Sequence, residues 1–314
     1  ESCGKLVVAT RKSELAVLDR LYERGSANGL SGIQKLAASE LSQYEPHVIG
    51  LAGLHVPQTG IVDYVEVANK FAELAAAAGC EIRKDCCLEK VQRQSSHMVL
   101  ETAGGTLQAK LLINCAGLQS DRVARMCGVR PRLKIIPFRG EYYKLKPERN
   151  SLVRNLIYPV PDARFPFLGV HFTRMIGGGI EAGPNAVLAL ARHGYTRFSL
   201  SPRDLLDTLG YQGFWQILYR YWRMGLGELQ RSFCKAAFVR ELQRLIPQLQ
   251  PDDIDRAGAG VRAQAVAPNG LLVDDFYIER DDRSIHVLNA PSPAATASIS
   301  IGETIAKKAR EHIS

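Results

Sequence analysis

The sequence lacks the features that define several large classes of protein. No stretch of its 314 residues approaches the roughly 18 consecutive apolar residues that a membrane-spanning helix requires. Its seven cysteines are odd in number, include the adjacent pair Cys86–Cys87 and form no CxxC motif. This usage predicts free thiols in a reducing compartment and argues against a disulfide framework or a zinc site. Internal repeats and low-complexity linkers are also missing, so the sequence does not predict a solenoid.

What is present is typical of a soluble globular protein. The chain is 46% hydrophobic and 23% charged, and it is long enough for one large or two ordinary domains. It begins at Glu1 without a signal peptide, and a strand-like run, Lys5 to Thr10, follows almost at once. We therefore expect the chain to be the remainder of something longer.

The net charge of +8 raises the question of a nucleic-acid partner. Because the basic residues are mostly scattered, a solvated surface explains them better, and we expect no nucleic-acid binding. One stretch is different: Gly213 to Arg244 carries six Arg or Lys against two acids, a net charge of +4, together with several Trp and Tyr. Such a stretch can be an amphipathic helix on an anionic bilayer, or a domain helix that buries its aromatic side chains.

Strand and helix patterns alternate along the chain. Asp63, with Glu66 three residues later, predicts a helix start, Gly79 predicts its end, and a strand is expected from Cys80. Strands are then predicted around the Gly104–Gly105 turn and over Leu111 to Ile113.

The second half of the chain continues this alternation. A short helix is predicted from a Ser120 cap to Gly128, strands over 135–182, and helices from Ser201–Pro202 to about Leu249. Strands and a final helix follow Gly258. The pattern predicts an α/β domain interleaved with an α+β domain.

Two segments combine strand ends with small residues. "LLINCAGLQSD" reads as a buried strand, a small-residue turn and a helix, an arrangement that binds nucleotides in open α/β sheets and also occurs in ordinary packing. "IHVLNAPSPAATASISIG" reads as a strand ending at Asn289, a stiff bend and an immediate helix. The N-terminus of that helix suits a ligand edge that becomes negative during reaction, and a reduced flavin ring is one such ligand.

Several longer motifs carry a more specific resemblance. The chain contains, in order, "CGKLVVAT", "TGIVDY", "INCAGLQSDRVA", "PFRGEYYKL", "LIYPVPDARFPFLGVHFTRMIGGGIEAGPNAVLA", "AGVRAQAVAPNGLLVDDF" and "IHVLNAPSPAAT". In these motifs, from Cys3 to about Ile305, it resembles the L-2-hydroxyglutarate oxidase/dehydrogenase family. Those are FAD enzymes of the group that includes D-amino-acid and glycine oxidases.

The resemblance implies an FAD-binding Rossmann-like domain, incomplete at its N-terminus, interleaved with a mixed-sheet substrate domain. We expect residues 1–57 and 132–255 to form the substrate domain, and 58–131 and 256–314 the FAD-binding domain. The family's GxGxxG pyrophosphate motif has no match, because "GGGIEAG" (177–183) has the wrong spacing and falls between strands. We expect the chain as given to bind FAD poorly, and a chain with such a segment restored to bind it.

The resemblance implies oxidation of a small dicarboxylate 2-hydroxy acid, with hydride transfer from C2 to the flavin and proton transfer to a base. Arg262 matches the carboxylate-binding arginine of the group, and Arg139 and Arg174 are candidates for the second carboxylate. Tyr158 is expected to line the same pocket.

Histidine is the preferred candidate for the base, since it titrates nearest the working pH. His171, on an apolar strand, and His286, beside the bend, are the two candidates, although either could instead be a hydrogen-bonded core residue. The other five are interpreted as surface residues in loops, capping regions or the tail: His47, His55, His97, His193 and His312.

The predicted cofactor contacts lie in three places. One is Leu88, and the second is the turn of Cys115, Ala116 and Gly117. The third is the bend, made of Asn289, Ala290, Pro291, Ser292, Pro293, Ala294 and Ala295.

Three functions stay open at this point. They are a 2-hydroxyglutarate oxidoreductase passing electrons to oxygen, or to a quinone pool or electron-transport component at the membrane, a flavin amine or amino-acid oxidase, and a non-catalytic remnant. We expect a cytoplasmic location, with docking on the inner membrane as an addition to the first alternative.

Overall fold

A computed structural model describes residues 1–161 and 169–313 of the chain. The part of the quoted "LIYPVPDARFPFLG" motif at positions 162–168 lies outside the described residues. Fifteen strands are found in the described part of the chain: β1 Lys5–Ala9, β2 Gln34–Ala37, β3 Ala52–Val56, β4 Leu88–Arg93, β5 Met98–Thr102, β6 Gly105–Ala109, β7 Leu112–Asn114, β8 Lys134–Leu145, β9 Leu156–Pro159, β10 His171–Arg174, β11 Ile180–Gly183, β12 Val187–Leu188, β13 Ile254–Val266, β14 Tyr277–Arg280 and β15 Ser284–Asn289.

Eight α-helices accompany them in the same described ranges: α1 Lys12–Ala27, α2 Leu41–Tyr44, α3 Tyr64–Ala77, α4 Ser120–Met126, α5 Pro202–Leu209, α6 Gln212–Phe233, α7 Lys235–Leu242 and α8 Ser298–Ile313. None of these helices, the 22-residue α6 included, combines the length and hydropathy needed to cross a bilayer.

The chain divides into two compact units. Unit 1 comprises Glu1–Asp63, Arg139–Val187 and Arg223–Gly260, and unit 2 comprises Tyr64–Phe138, Leu188–Trp222 and Val261–Ser314. Both are built from separated segments, and the domain boundaries expected from the sequence stay a prediction.

A mixed sheet contains most of the strand residues of unit 1. Its strands follow the order β12-β8-β11-β10-β9-β1-β3-β2, and β13 pairs with β8. β1 runs parallel to β9 and antiparallel to β3. Alternation along β1 sends Leu6 and Val8 to a core with Phe172, and Val7 and Ala9 to a second core under α1.

Unit 2 contains two three-stranded sheets. The order is β14-β15-β7 in one, where β7 and β15 are parallel, and β4-β5-β6 in the other. Every residue of β15 is buried, as expected of a strand covered on both faces.

Helix boundaries agree closely with the sequence where Gly or Pro punctuates the chain. α3 begins directly after Asp63 and ends before Gly79, whose φ of +89° suits glycine. α5 begins at Pro202, and the Ser201 side chain accepts a hydrogen bond from the Asp204 N–H at 3.3 Å.

Three local predictions were wrong. No strand starts at Cys80, because Asp85 takes a left-handed conformation at φ +54° and β4 begins only at Leu88. Ser120 is not the cap of α4, since the preceding 3₁₀ turn makes Gln119 the cap and Ser120 already helical. His55 lies inside β3, with its ring 4.2 Å from that of Tyr44, and not in a loop.

The aromatic side chains of the basic stretch, residues 213–244, differ in burial. Phe214 is buried and Tyr221 packs against the core beside it. On the same helix α6, Tyr219 is 85% exposed, and Trp215 and Trp222 are also exposed. The aromatic side chains are therefore divided between core and surface.

Candidate active site

The small-residue turn after β7 is held by a buried asparagine. The Asn114 amide donates to the Ser120 carbonyl at 2.8 Å, and its oxygen accepts from the Ala116 N–H at 3.1 Å. These bonds fix the turn while leaving Cys115, Ala116 and Gly117 exposed. Gly117 has φ +52° and faces open space, so a flat ligand can approach the backbone there.

His286 is fully buried on β15, and both of its ring nitrogens are used within unit 2. Nδ1 accepts from the Asn114 amide at 3.0 Å, and Nε2 lies 2.7 Å from the Ser284 hydroxyl, which in turn donates to Asp281. Burial lowers the pKa of His286, so the ring is neutral at neutral pH. His286 thereby braces the turn after β7, and this arrangement favours His171 over His286 as the base.

The predicted bend follows β15 as expected. The buried Asn289 amide donates to the carbonyls of Val273 and Asp275, at 3.0 and 2.8 Å, and so anchors the start of the bend. Ala290, Ser292, Pro293 and Ala295 are exposed, and Pro291 and Ala294 are half-buried. At its end the Thr296 hydroxyl lies 3.0 Å from that of Tyr64. The bend is thus fixed at both ends and presents small side chains between them.

The donors at the end of the bend suit an anionic ring edge. The N–H groups of Thr296 and Ile299 have no hydrogen-bond acceptor within the described part of the chain, and they stand where α8 begins. The first turn of a 16-residue helix carries partial positive charge. Free donors beside small side chains therefore fit the ring system of a flavin. No residue is assigned to the pyrophosphate.

Leu88, the remaining predicted cofactor contact, is the first residue of β4. It packs against the core cluster of Met98, Leu112 and Cys127 and is only half-buried. Its role toward a cofactor stays a prediction.

In unit 1, one face of the sheet carries a group of polar side chains. β9 and β10 are antiparallel, and Phe172 lies opposite Ile157 on the core side, which sends Tyr158 and His171 to the other face. Their rings stack there with centroids 4.0 Å apart and planes 18° from parallel. Thr173 hydrogen-bonds the Tyr158 hydroxyl.

The His171 ring is held in one orientation. Its Nδ1 lies 2.9 Å from the Gly169 carbonyl, so Nδ1 carries the proton and Nε2 keeps its lone pair. Burial, with a smaller contribution from the positive charge of Lys5, lowers the pKa of His171 to about 4. At neutral pH this arrangement provides an oriented, uncharged proton acceptor.

Sequence reasoning missed two neighbours of this pair. Lys5, at the start of β1, places Nζ 5.1 Å from the centre of the Tyr158 ring. Tyr142, on β8, has its pKa raised by burial, with smaller contributions from Glu181 and Tyr158. The signal for Lys5 was a single charge opening the apolar strand "KLVVA", but its neighbours depend on strand register.

The three predicted arginines have different surroundings. Arg139 is buried and donates to Glu141 at 3.0 and 3.2 Å, while Arg174 pairs with Glu1 and contacts Asn155. Arg262 lies on β13 with an exposed surface, yet desolvation of its guanidinium lowers its pKa. The carboxylate-binding roles of all three stay predictions.

Comparison with known proteins identifies the family of this chain. A sequence model described as FAD dependent oxidoreductase matches residues 1–308, and the chain belongs to that family. The family assignment confirms the predicted fold class and the resemblance drawn from the motifs. It also agrees with a bend and turn that fit a flavin ring.

Three relatives that carry the same name are similar to this chain over nearly its whole length. The chain is 53% identical over 306 residues, 97% of its length and 77% of the relative's, to an L-2-hydroxyglutarate dehydrogenase of Indibacter alkaliphilus. It is 44% identical over 98% of its length to the enzyme of that name from Escherichia coli K12, of which 73% is covered. The mitochondrial protein of that name from Mus musculus is 40% identical, with 98% of this chain and 70% of that protein covered.

Solved structures share the fold at lower identity. Dithionite-reduced L-alpha-glycerophosphate oxidase from Mycoplasma pneumoniae, with FAD bound, matches 99% of this chain and 71% of its own at 20% identity, with a TM-score of 0.75. Glycine oxidase from Geobacillus kaustophilus matches 91% of this chain and 64% of its own, at 19% identity and a TM-score of 0.61. At these identities the likeness concerns the fold.

Proposed function

We propose that the chain is an FAD-dependent dehydrogenase that oxidises L-2-hydroxyglutarate to 2-oxoglutarate. The observation that carries the proposal is its 53% identity, over 97% of the chain, to an L-2-hydroxyglutarate dehydrogenase. The sheet face of unit 1 supplies matching chemistry, because oxidation of a secondary alcohol needs a group that takes the hydroxyl proton.

His171 is the group proposed for that proton. Its Nδ1–H is fixed on the Gly169 carbonyl, so Nε2 accepts the proton of the substrate's C2 hydroxyl. Stacking on Tyr158 holds the ring plane, and burial keeps the ring uncharged beforehand. Bound FAD would supply the acceptor for the C2 hydride.

The remaining predicted residues take binding roles. The turn at Cys115–Gly117 and the bend from Asn289 to Ala295 would hold the flavin ring, and the first N–H groups of α8 would face its anionic edge. Arg262 is proposed as a ligand of a substrate carboxylate, which its planar guanidinium can bind with two hydrogen bonds.

Substrate oxidation by the protein carrying FAD tests the proposal. We expect reduction of a dye acceptor with L-2-hydroxyglutarate and little with D-2-hydroxyglutarate, glycine or D-alanine. His171→Phe should lower kcat by at least about 100-fold, as expected for loss of a general base. His55→Phe is the matched control, since the His55 ring also packs against a tyrosine ring in this unit, that of Tyr44. Turnover of glycine or D-alanine alone would instead support the amine-oxidase alternative.

We also propose that unit 2 docks on an anionic bilayer through its segment 195–222. This segment exposes Phe198 by 94% and Tyr219 by 85%, and it contains the further exposed side chains Tyr195, Leu200, Leu206, Trp215, Leu218 and Trp222. Its acidic residues, Asp204 and Asp207, are engaged by Arg122, Arg192 and Lys134. The exposed charge of the segment is therefore positive, which complements anionic headgroups.

Vesicle sedimentation tests this docking. We expect binding to vesicles containing phosphatidylglycerol and little binding to pure phosphatidylcholine, with Phe198→Ser and Tyr219→Ser each reducing the bound fraction. Ile49→Ser, at an exposed apolar position of unit 1, should bind as the unsubstituted protein does. Equal binding by all three variants would exclude the segment.

Docking at a bilayer would bring the enzyme to a quinone acceptor. We therefore propose that electrons pass to membrane quinone and expect a soluble short-chain ubiquinone to be reduced faster than oxygen. Faster oxygen consumption would make the protein an oxidase and remove this part of the proposal.

A further inference from the structure

Lys5 occupies an unusual place for a lysine. It is the first residue of β1 and is aligned with Leu156 of β9 and Val56 of β3, inside the sheet of unit 1. Its aliphatic stem lines an apolar cleft of about 260 Å³ together with Val7 and Leu21. The ammonium lies 5.1 Å from the centre of the Tyr158 ring.

Among the described residues, no carboxylate forms an ion pair with this ammonium. The other lysines on the described strands of the sheet each have one: Lys35 pairs with Asp19 at 2.7 Å, Lys134 with Asp207 at 2.6 Å and Lys144 with Glu181 at 3.6 Å. Lys5 has no ion pair among the described residues, and burial lowers its pKa. A partly desolvated cation without a counter-charge is costly, and an anionic ligand would offset that cost.

The position of the Lys5 ammonium relative to His171 limits which anionic ligand can bind there. Both groups contact Tyr158, the imidazole by stacking and the ammonium through the ring face, and no hydrogen bond joins them within the described chain. A ligand that places a hydroxyl on His171 Nε2 and an anionic group on Lys5 would contact both of these neighbours of Tyr158. In 2-hydroxyglutarate the distal carboxylate lies three carbons beyond C2, whereas the C1 carboxylate is attached directly to C2.

The two arginines first considered for a second carboxylate are less suited. Arg139 is paired with Glu141, whose other oxygen accepts from Asn185 at 3.1 Å, and Arg174 is paired with Glu1. Either arginine would have to exchange a protein carboxylate for a substrate carboxylate, so little net attraction would be gained.

We propose that Lys5 binds the distal carboxylate of the 2-hydroxy diacid and so selects diacids over monoacids. This inference rests on the proposed function, and it adds the residue that distinguishes 2-hydroxyglutarate from a 2-hydroxy acid with an apolar tail. Lys5 acts in binding and takes no part in proton or hydride transfer.

A pair of substrates that differ only in the distal group tests the inference. For Lys5→Met carrying FAD, we expect kcat/KM to fall about 10- to 100-fold with L-2-hydroxyglutarate and less than about 3-fold with L-2-hydroxypentanoate. Lys5→Arg should recover most of the loss. Lys35→Met is the matched control, since Lys35 also sits over a tyrosine ring, 4.7 Å from the centre of Tyr22, and its substitution should leave the ratio unchanged.

Binding without chemistry gives a second readout. Calorimetric titration should show a glutarate dissociation constant that rises about 10- to 100-fold in Lys5→Met while that of pentanoate is unchanged. Lys5→Gln serves if the methionine variant does not fold. Equal losses for both acids, or no loss, would overturn the role of Lys5.

The two proposals fail in different ways. If the unsubstituted protein binds glutarate through Lys5 but does not oxidise 2-hydroxyglutarate, the proposed function fails and Lys5 remains a carboxylate ligand. If it oxidises 2-hydroxyglutarate with the same diacid preference in Lys5→Met, only the Lys5 inference fails. A protein that binds neither glutarate nor pentanoate overturns the inference as well.

Discussion

Lowering the pH below 6.5 should reduce the free energy of unfolding, because the folded protein resists protonation of His171. This loss begins at pH values at which His171 is still unprotonated and can act as a base. The folded-state pKa is about 4, whereas an unfolded histidine titrates near 6.5. Between these values the unfolded chain binds a proton that the folded chain does not, so stability is fully present above pH 6.5 and is lost as the pH falls toward 4. At ~1.36 kcal/mol per pKa unit, the loss is on the order of 3 kcal/mol.

Urea unfolding at several pH values between 7 and 4 measures this effect. His171→Phe keeps an aromatic ring against Tyr158 and removes the titrating group, so the free energy of unfolding of the unsubstituted protein should fall relative to the variant's by roughly 3 kcal/mol as the pH drops. His55→Phe retains the buried His171 and should therefore keep most of the pH dependence of the unsubstituted protein, although burial also lowers the pKa of the half-buried His55. A difference between His171→Phe and the unsubstituted protein that does not change with pH would refute the buried, uncharged state of His171.

The folded-state pKa of about 4 for His171 also predicts how kcat/KM changes at acidic pH. A base with an ordinary pKa of 6.5 would lose about 25-fold in kcat/KM between pH 7 and pH 5, whereas one near 4 stays almost fully unprotonated. We therefore expect kcat/KM for 2-hydroxyglutarate to change less than about 2-fold over that range from this group. A steep decline with a midpoint near 6.5 would assign the base to a solvated group.

Three further predictions concern binding and packing. Arg192→Met should lower the free energy of unfolding by roughly 3 kcal/mol, measured in urea, because Arg192 and its partner Asp121 are both buried. Gly183→Ala should cost about 1–3 kcal/mol in the same assay, since φ is +146° and the new Cβ would lie 2.9 Å from a backbone carbonyl oxygen. Arg262→Leu should lower kcat/KM for 2-hydroxyglutarate about 30- to 1000-fold, and an unchanged value, equal to that of Arg256→Leu on the same strand, would remove Arg262 from the site.

The sequence predicted local features well where the information is local. The start of α3 after Asp63, its end at Gly79 and the bend after Asn289 each follow from capping, glycine or proline chemistry within a few residues. The strand expected from Cys80 failed because the left-handed turn at Asp85 carries no distinct sequence signal. Periodicity likewise could not tell which side of α6 would be covered, and Tyr219 is exposed on it.

The site on unit 1 could be predicted only in part for a different reason. His171 and Tyr158 were found through a family resemblance, whereas their stacking depends on the register of β9 with β10. Lys5 joins them through the parallel pairing of β1 with β9, between segments far apart in the sequence. Pairing over such separations is decided by the whole sheet, so no pattern within one segment identifies it.

The bend after β15 offers a direct test of cofactor placement. Asn289 and Thr296 fix its two ends, and the side chain of Ala295 between them is exposed and small. If the flavin ring lies against this backbone, the three extra carbons of Ala295→Leu should displace or tilt it while the buried β15 and α8 remain folded. In a chain with the N-terminal dinucleotide segment restored, we expect FAD occupancy, measured from the flavin absorbance after gel filtration, to fall severalfold. The reduction potential of the remaining bound FAD should become more negative, because the first N–H groups of α8 no longer face the ring's anionic edge. Ala77→Leu, at an exposed position of α3 in the same unit, should change neither quantity. Full occupancy with an unchanged potential in Ala295→Leu would mean that the bend serves packing alone, and the flavin would have to be sought elsewhere in the protein.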